Sequence, residues 1–318
     1  MIDDIQMDRP VQDAEDILRG ELQRGDLVIA TTRPILRHLL ATSDQSLFSD
    51  MVIARVRGMI GHVARQLLFA RGQADGVEDL GSYADLREAR LTQMLMEDSA
   101  FLAHAHAQTL EMQLADQLQR RSGIDLVLSP LLQELAASTD AQMAALSMRV
   151  LAEQARFVQQ QRRMELPLAE LPGDLFHRAL LILRTLDDEA DGAQRTEAGL
   201  RDRFDESNSR LGLITRLIMG MGKTAPRALA IDHGGLAVFA TALAMASGQD
   251  RNLAIYSFGE NQIARLALSM RAAGLKPSAL EEQILYIHPD ISMPAGLDMI
   301  SGDQAAAMLA SSMPDVAG

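Results

Sequence analysis

Hydrophobic residues recur at spacings of three and four along most of this chain, which is the period of a helix that buries one face. Short β-branched runs, such as residues 28–32, fit strands, but they are too few to build a sheet. Helix starts are marked as well, because Ser129 stands as an N-cap residue before Pro130. Ser278 and Glu281 have the spacing of a capping box. The pattern therefore predicts an all-α protein.

The predicted helices are joined by short turns. No fixed repeat period of about 34 or about 40–47 residues appears between them. The pattern therefore fits either an irregular α-solenoid or a two-lobed helical bundle. The predicted helices cover residues 10–24, 34–41, 44–71, 82–97, 99–121, 130–138, 140–163, 172–187, 193–204, 206–220, 225–231, 235–247, 259–273 and 278–287.

The chain divides best at the turn that begins with Gly123, between two helical stretches. We expect an N-terminal helical region at 1–122 and a C-terminal helical region at 123–288. Residues 289–318 are small and polar with few large apolar groups, and they predict a loosely ordered tail.

The charge of the chain argues against binding to nucleic acid. The 318 residues include 43 acidic and 30 basic side chains, for a net charge of −13, and the charges are spread so that no block is net basic. A protein that binds duplex DNA needs cationic side chains to neutralise phosphates. Aromatic residues, at 3%, offer little for stacking single-stranded bases. We expect no nucleic-acid partner.

The sequence predicts a cytoplasmic protein with no membrane partner. The N-terminus is acidic and lacks the charged and then apolar order of a signal peptide. The most apolar stretch, residues 234–247, suits a buried helix better than a membrane span. The chain has no cysteine, which excludes disulfides and thiolate metal sites.

Two loops approach known ligand-binding motifs but each lacks a required residue. Residues 219–224 resemble the end of a phosphate-binding loop, but Leu217 stands where that loop needs a glycine. Residues 187–192 resemble the start of a calcium loop, but Ala198 stands where the loop needs a bidentate acid. A turn after a helix and an acidic helix end account for these two loops.

The sequence also contains no recognisable catalytic set. His104 and His106 fall about 200° apart on a helix, so they cannot share one metal ion. A Gly-x-Ser-x-Gly turn is absent, and without cysteine there is no thiol nucleophile. We therefore predict no catalytic residue, no cofactor, no metal and no enzyme activity.

The most distinctive surface is a stripe of arginines on the helix predicted at 140–163. Arg149, Arg156 and Arg163 are seven residues apart, and Glu153 lies within reach of both Arg149 and Arg156. One interpretation is an interaction patch that binds an anion or docks a partner. The alternative is a solvated face with ion pairs inside the helix.

Residues 154–172 resemble proteins of domain-of-unknown-function family 2336 from alphaproteobacteria. The segments at 235–246 and 268–275 resemble the recurring helix pairs of the same family, and the likeness covers residues 43–288. The resemblance implies an all-helical, HEAT-like fold with no assigned catalytic residues. It therefore transfers no functional residue to this chain.

These observations favour a non-catalytic scaffold or adaptor that presents a helical groove to a partner protein in a bacterial cytoplasm. The first alternative is a sensor that binds a small anionic, nucleotide-like ligand through Arg149, Arg156 and Arg163. The second alternative is an unrecognised enzyme.

Overall fold

The chain folds into helices joined by short turns. The structure is a computed structural model that describes residues 3–41, 50–186 and 190–312. These residues contain no strand, which confirms the predicted all-α class. In chain order the α-helices are α1 (Asp3–Ala41), α2 (Asp50–Ala74), α3 (Leu80–Asp85), α4 (Glu88–Glu97), α5 (Ser99–Ser122), α6 (Pro130–Ala136), α7 (Ala141–Arg163), α8 (Gly173–Arg184), α9 (Ala190–Arg203), α10 (Arg210–Gly220), α11 (Ile231–Ser247), α12 (Arg251–Ser257), α13 (Ile263–Ala272), α14 (Pro277–Ile287) and α15 (Gly302–Ser311).

Several helices begin where the sequence provides an N-cap residue. The Asp98 carboxylate accepts two backbone N–H bonds at the start of α5, and the Ser129 hydroxyl accepts one at the start of α6. The prediction at Ser129 is confirmed. The capping box predicted at Ser278 is wrong, because α14 starts at Pro277 and Lys276 occupies the N-cap position.

Helix α1 is longer than the sequence pattern predicts. Residues 25–33, which the predicted helices leave out, are helical, and so is the β-branched run at 28–32. The hydroxyls of Thr31 and Thr32 donate to the carbonyl oxygen of Val28 at 3.0 and 2.8 Å. Burial of one face of this segment in the core outweighs the β propensity of the run.

Two short helices that the sequence pattern does not predict lie toward the C-terminal end. Helix α12 begins after Asp250, whose carboxylate caps it. Helix α15 lies within residues 289–318, begins with a capping box between Ser301 and Gln304, and packs on α13. The single helix predicted at 82–97 is two helices, α3 and α4.

Helix α11 is broken at Gly235. This residue has φ +72° and ψ 163°, a backbone conformation that only glycine adopts readily. A Cβ at this position would lie 3.1 Å from the Cβ of Ser129, the N-cap residue of α6. The break therefore allows α11 to pass close to the start of α6.

Two large clusters of buried apolar residues form most of the core, and α5 contributes to both. One cluster joins α2, α3, α4, α8 and α9 to the start of α5, including Phe101. The larger cluster contains the rest of α5, including Leu118. The other helices that contribute to it are α1, α6, α7 and every helix from α10 through α15. Both clusters draw residues from either side of Gly123. The division into 1–122, 123–288 and 289–318 stays a prediction, and so does the solenoid arrangement.

Helix α1 and the end of α15 meet at a buried arginine of α13. Arg265, which is 1% exposed, forms an ion pair with Asp26 of α1. The same guanidinium donates to the Ser312 carbonyl oxygen at 2.8 Å, and the Ser312 hydroxyl donates to Asp26. These bonds connect two segments from opposite ends of the described chain.

None of the described helices is by itself both long and apolar enough to cross a membrane. The pair Gly222–Leu229 and Ile231–Ser247 reaches that length and composition only when its halves are taken together, and it is bent by 106°.

Candidate functional site

The four residues of the predicted interaction patch lie on α7. This helix buries Val150 and Phe157 on its inner face. Arg149, Arg156 and Arg163 lie on the opposite side and are exposed. The amphipathic pattern of α7 therefore places the arginine stripe in solvent.

The stripe residues contact different neighbours. Arg149 Nη2 donates to Asn208 Oδ1 at 2.6 Å, across to the 3-10 turn before α10. Arg156 forms an ion pair with Glu153, one turn away on the same helix. Arg163 lines a groove that includes neither Arg149 nor Arg156. The structure thus brings Glu153 and Arg156 together, and a single site built from all four residues stays a prediction.

Arg163 lies at one end of an open groove of about 900 Å³, which we name the α2–α4 groove. Gly61 of α2 faces Thr92 of α4, and Arg65, one turn later on α2, reaches Glu88, one turn earlier on α4. The two helices are therefore antiparallel. The lining residues come from α2, from α3 and α4, and from the end of α7: Arg57, Gly58, Gly61, His62, Arg65, Asp85, Glu88, Ala89, Thr92, Gln93, Met96, Arg163, Met164 and Glu165.

Two glycines of α2 shape the floor of the groove. A Cβ at Gly58 would lie 2.7 Å from the Cβ of Met164, the left-handed residue (φ +59°) that ends α7. Gly58 therefore allows the turn after α7 to approach α2. A Cβ at Gly61 would make ordinary contacts, 3.8 Å from Glu88 Oε1 and 3.9 Å from Thr92 Oγ1. Gly61 thus lies beside two polar side chains of α4 without a close contact.

Opposite charges are paired at the end of the groove where α3 meets α4. Arg65 Nη1 donates to Glu88 Oε2 at 2.6 Å and to Asp85 Oδ1 at 2.9 Å. The hydrogen bond to Glu88, followed by that to Asp85, raises the pKa of Arg65 above its ordinary value. Two carboxylates against one guanidinium leave this end with a negative charge.

Polar contacts hold the turn after α7 against α2. The Leu166 N–H donates to His62 Nδ1 at 3.1 Å, and Gln66 Nε2 donates to the Leu166 carbonyl oxygen at 2.9 Å. The Leu168 N–H donates to Gln66 Oε1 at 3.1 Å. These hydrogen bonds fix the turn after α7 against α2, so contacts within the chain order this side of the groove.

A second polar cluster, which the sequence analysis missed, lies inside the molecule. Arg210 donates to the two carboxylate oxygens of Glu111 at 2.7 and 3.0 Å, and Arg251 donates to the same oxygens at 2.9 Å each. Arg210 also donates to Gln154 Oε1 at 3.1 Å, and its guanidinium lies 3.7 Å from the centre of the Phe157 ring. The result is a buried network with two cations and one anion.

Burial and the charges of the network shift the pKa values of Glu111 and of two nearby histidines. Burial raises the pKa of Glu111, but the charges of Arg210 and Arg251 lower it by more, so the carboxyl stays ionised. Burial, aided by the charge of Arg251, lowers the pKa of His104 to about 4. Burial alone lowers the pKa of His106 to about 4. Both histidines are therefore neutral at pH 7.

The buried network connects helices and offers no room for a ligand. The cavity beside Glu111 and Gln154 has a volume of about 10 Å³, which is space for one water molecule. Glu111 is 99 residues from Arg210 and 140 residues from Arg251. No local spacing in the sequence could have revealed the network, because it depends on how α5, α10 and α12 pack.

The two histidines of α5 contact different groups. His104 Nε2 lies 3.3 Å from Gln108 Nε2, and His106 Nδ1 lies 3.2 Å from the hydroxyl of Tyr256. No group of three or more histidine, aspartate or glutamate side chains that could hold a metal ion occurs within the described residues.

The two loop motifs have separate outcomes. In the segment 219–224, α10 ends at Gly220, and Gly222 has φ +53° at the start of a 3-10 turn. This is a helix end and turn, in which no strand precedes the glycines. The calcium-like segment 187–192 lies in part outside the described residues.

No protein-family model, no curated protein and no solved structure matches this chain. The resemblance to family 2336 and its HEAT-like fold therefore stay predictions. The structure itself defines an all-α protein with an open groove between two antiparallel helices, lined by charges of both signs.

Proposed function

We propose that this chain is a non-catalytic scaffold or adaptor that binds a segment of a partner protein in the α2–α4 groove. The observation that carries the proposal is an open groove of about 900 Å³ whose walls are two packed helices. Sites for small molecules enclose most of the surface of their ligand. An open groove suits a polypeptide better, because the segment can continue beyond both ends.

The construction of the groove supports tight binding of such a segment. Helix α2 buries Val56, Ile60 and Val63, and α4 buries Leu91 and Leu95, so both walls belong to the core. Because these walls are ordered by the fold, little conformational entropy is lost when a partner binds.

The chemistry of the rim also suits a protein partner. Charges of both signs line the groove, whereas a site for a polyanion would carry mainly cations. Met96 and Met164, which line the groove, offer apolar contacts. The same proposal places the adaptor in the bacterial cytoplasm and includes the HEAT-like arrangement implied by family 2336.

The test places a photo-cross-linking residue at Ala89, which is exposed and lines the groove. The matched control carries the same residue at Ala198, which is exposed on α9 outside the groove. In the native host we expect a discrete cross-linked partner from position 89 and none from position 198.

A blocking variant identifies the groove as the binding site. Gly61→Leu adds a bulky side chain to the floor of the groove, where a Cβ would make only ordinary contacts with Glu88 and Thr92. Gly199→Leu adds the same side chain on α9, where a Cβ meets nothing within 4 Å. The Gly61 variant should abolish the cross-link and the Gly199 variant should retain it. Equal cross-linking from positions 89 and 198, or an unaffected cross-link in the Gly61 variant, would contradict the adaptor.

A second candidate function is the sensor of a small anionic ligand, because Arg57 and Arg163 line one groove. A thermal-shift screen with nucleotides compares the wild type, Arg163→Gln and the double variant Arg149→Gln/Arg156→Gln. A stabilisation that is lost only in Arg163→Gln would move the sensor ahead of the adaptor, since a ligand that binds the native state raises its stability.

A further inference from the structure

The charges along the α2–α4 groove are separated by sign, and the inference drawn from them rests on the proposed function. At one end Asp85 and Glu88 face a single cation, Arg65. Their side chains are 66% and 32% exposed, so they are accessible to a bound segment. This acidic end lies at the start of α4.

The opposite end of the groove is basic. It lies where the turn after α7 meets Gly58, in the first half of α2. Arg163 and Arg57 line this end, and Glu165 is the carboxylate that accompanies them among the lining residues. Arg163 is exposed, whereas Glu165 is half-buried. Arg163 therefore contributes an exposed cation at this end.

The geometry of the walls selects the shape of the occupant. Antiparallel helices present a groove into which the side-chain ridge of a third helix packs. The stretch of α2 from Arg57 to Arg65 rises about 12 Å along the helix axis, at about 1.5 Å per residue. Two turns of a helix laid along the groove cover the same length. Gly61 on the floor carries no side chain that would hold that helix away from α2.

We propose that the partner segment is a helix that carries a basic side chain and, two turns away, an acidic side chain. The basic side chain lies at Asp85 and Glu88, and the acidic side chain lies at Arg163. A small residue between them sits over Gly61. Such complementarity selects the partner and fixes its register more than it raises affinity.

The test uses the absence of cysteine from the chain. The variant Ala89→Cys has one thiol, which lines the groove. Three designed helical peptides with a central cysteine are offered to it under reversible thiol–disulfide exchange. One carries glutamate and lysine seven residues apart, one carries two glutamates, and one carries two lysines. Mass spectrometry measures the fraction of protein linked to each peptide.

We expect the mixed peptide to be retained at least about fivefold better than either like-charge peptide. Arg163→Glu should transfer the preference to the peptide with two lysines. Arg149→Glu, on the same helix but outside the groove, should leave the order unchanged. Equal retention of all three peptides would overturn this inference and leave the adaptor intact. If position 89 gives no cross-link in the host, and the Ala89→Cys variant retains no more peptide than an Ala198→Cys variant, both this inference and the adaptor proposal are overturned.

Discussion

At the scale of single residues, Glu111 has the contacts with the largest consequences for stability. Its carboxylate joins α5 to Arg210 of α10 and to Arg251 of α12, and the Arg251 Nε also donates to Thr241 of α11 at 3.0 Å. Both ion pairs are bidentate and largely removed from water. The Glu111 carboxylate stabilises the fold because it compensates the charges of two buried guanidinium groups.

Replacing Glu111 by glutamine should therefore cost about 3–5 kcal/mol in the free energy of unfolding, because it leaves two buried guanidinium groups without a counter-charge. Urea denaturation of the purified variant measures this loss. The control is Glu281→Gln, an exposed carboxylate on α14, which should change the free energy by less than about 0.5 kcal/mol. A loss of similar size in both variants would contradict the role given to Glu111.

The buried histidines predict how stability depends on pH. The pKa values of His104 and His106 are lowered in the folded state to about 4, from the ordinary 6.5. Between these values the unfolded chain binds more protons, so stability is complete above about pH 6.5 and falls as the pH drops toward 4. Each histidine contributes up to about 3 kcal/mol to that loss.

Urea midpoints at pH 7 and pH 5 measure the effect. The wild type should lose stability between the two, and His106→Gln should lose less, because glutamine does not titrate. The lowered pKa of Glu111 acts at lower pH, where protonation of the carboxyl removes a further contribution. A wild-type profile that is flat from pH 7 to pH 5 would show that the histidines are not buried as neutral groups.

Residues differ in how far the sequence reveals their contacts. The pair of Glu153 and Arg156 follows from a spacing of three on one helix and was visible in the sequence. The bond from Arg149 to Asn208 and the groove around Arg163 depend on how separate helices pack. Tertiary contacts of this kind leave no periodic signal, and this is why the groove was missed.

At the scale of elements, the hydrophobic period predicts most of the helices, and hydrogen bonds to the backbone from capping residues determine where several of them begin. The period of α5 and the N-cap at Ser129 gave two helices nearly at their observed bounds. Within α1 the β-branched run favours a strand, but its residues belong to one continuous helix, because β propensity is weaker than burial. Helix α12 was missed because its seven residues are too short to show a period.

The break in α11 predicts opposite effects for two glycine substitutions. Gly235→Ala should lower the free energy of unfolding by about 1–3 kcal/mol, since alanine is strained at a φ of +72°. Its Cβ would also press on Ser129 at 3.1 Å. Gly199→Ala, in the open on α9, should raise stability by about 0.5–1 kcal/mol. Thermal unfolding of both variants checks the signs, and stabilisation by Gly235→Ala would contradict the described break.

At the scale of the whole molecule, α5 links the two hydrophobic clusters. Phe101 belongs to one cluster and Leu118 to the other, and both are fully buried. A continuous helix of 24 residues therefore couples the packing of the two halves of the core. The sequence could show that α5 is a helix but could not show which neighbours each end would meet.

The net charge of −13 leads to a prediction about nucleic acid that concerns the molecule as a whole. We expect no retention of duplex DNA in a gel-shift assay at physiological salt, because non-specific binding depends on phosphate neutralisation by cations. Arg65, Arg210 and Arg156 are paired with carboxylates at Glu88, Glu111 and Glu153, which limits the local positive field. Retention of an arbitrary DNA fragment at micromolar protein, with a steep salt dependence, would contradict this expectation.

The bond of Arg265 to both Asp26 and Ser312 has a consequence for how the protein is made. Asp26 and Ser312 are 286 residues apart, and a ribosome that adds about 5–20 residues per second needs about 15–60 s to pass from one to the other. During that interval Leu18 and Leu22 of α1, fully buried at the end, have no finished core to enter. Helix α1 leaves the ribosome before α13 and α15, and for about 15–60 s its apolar face is a target for chaperones and proteases.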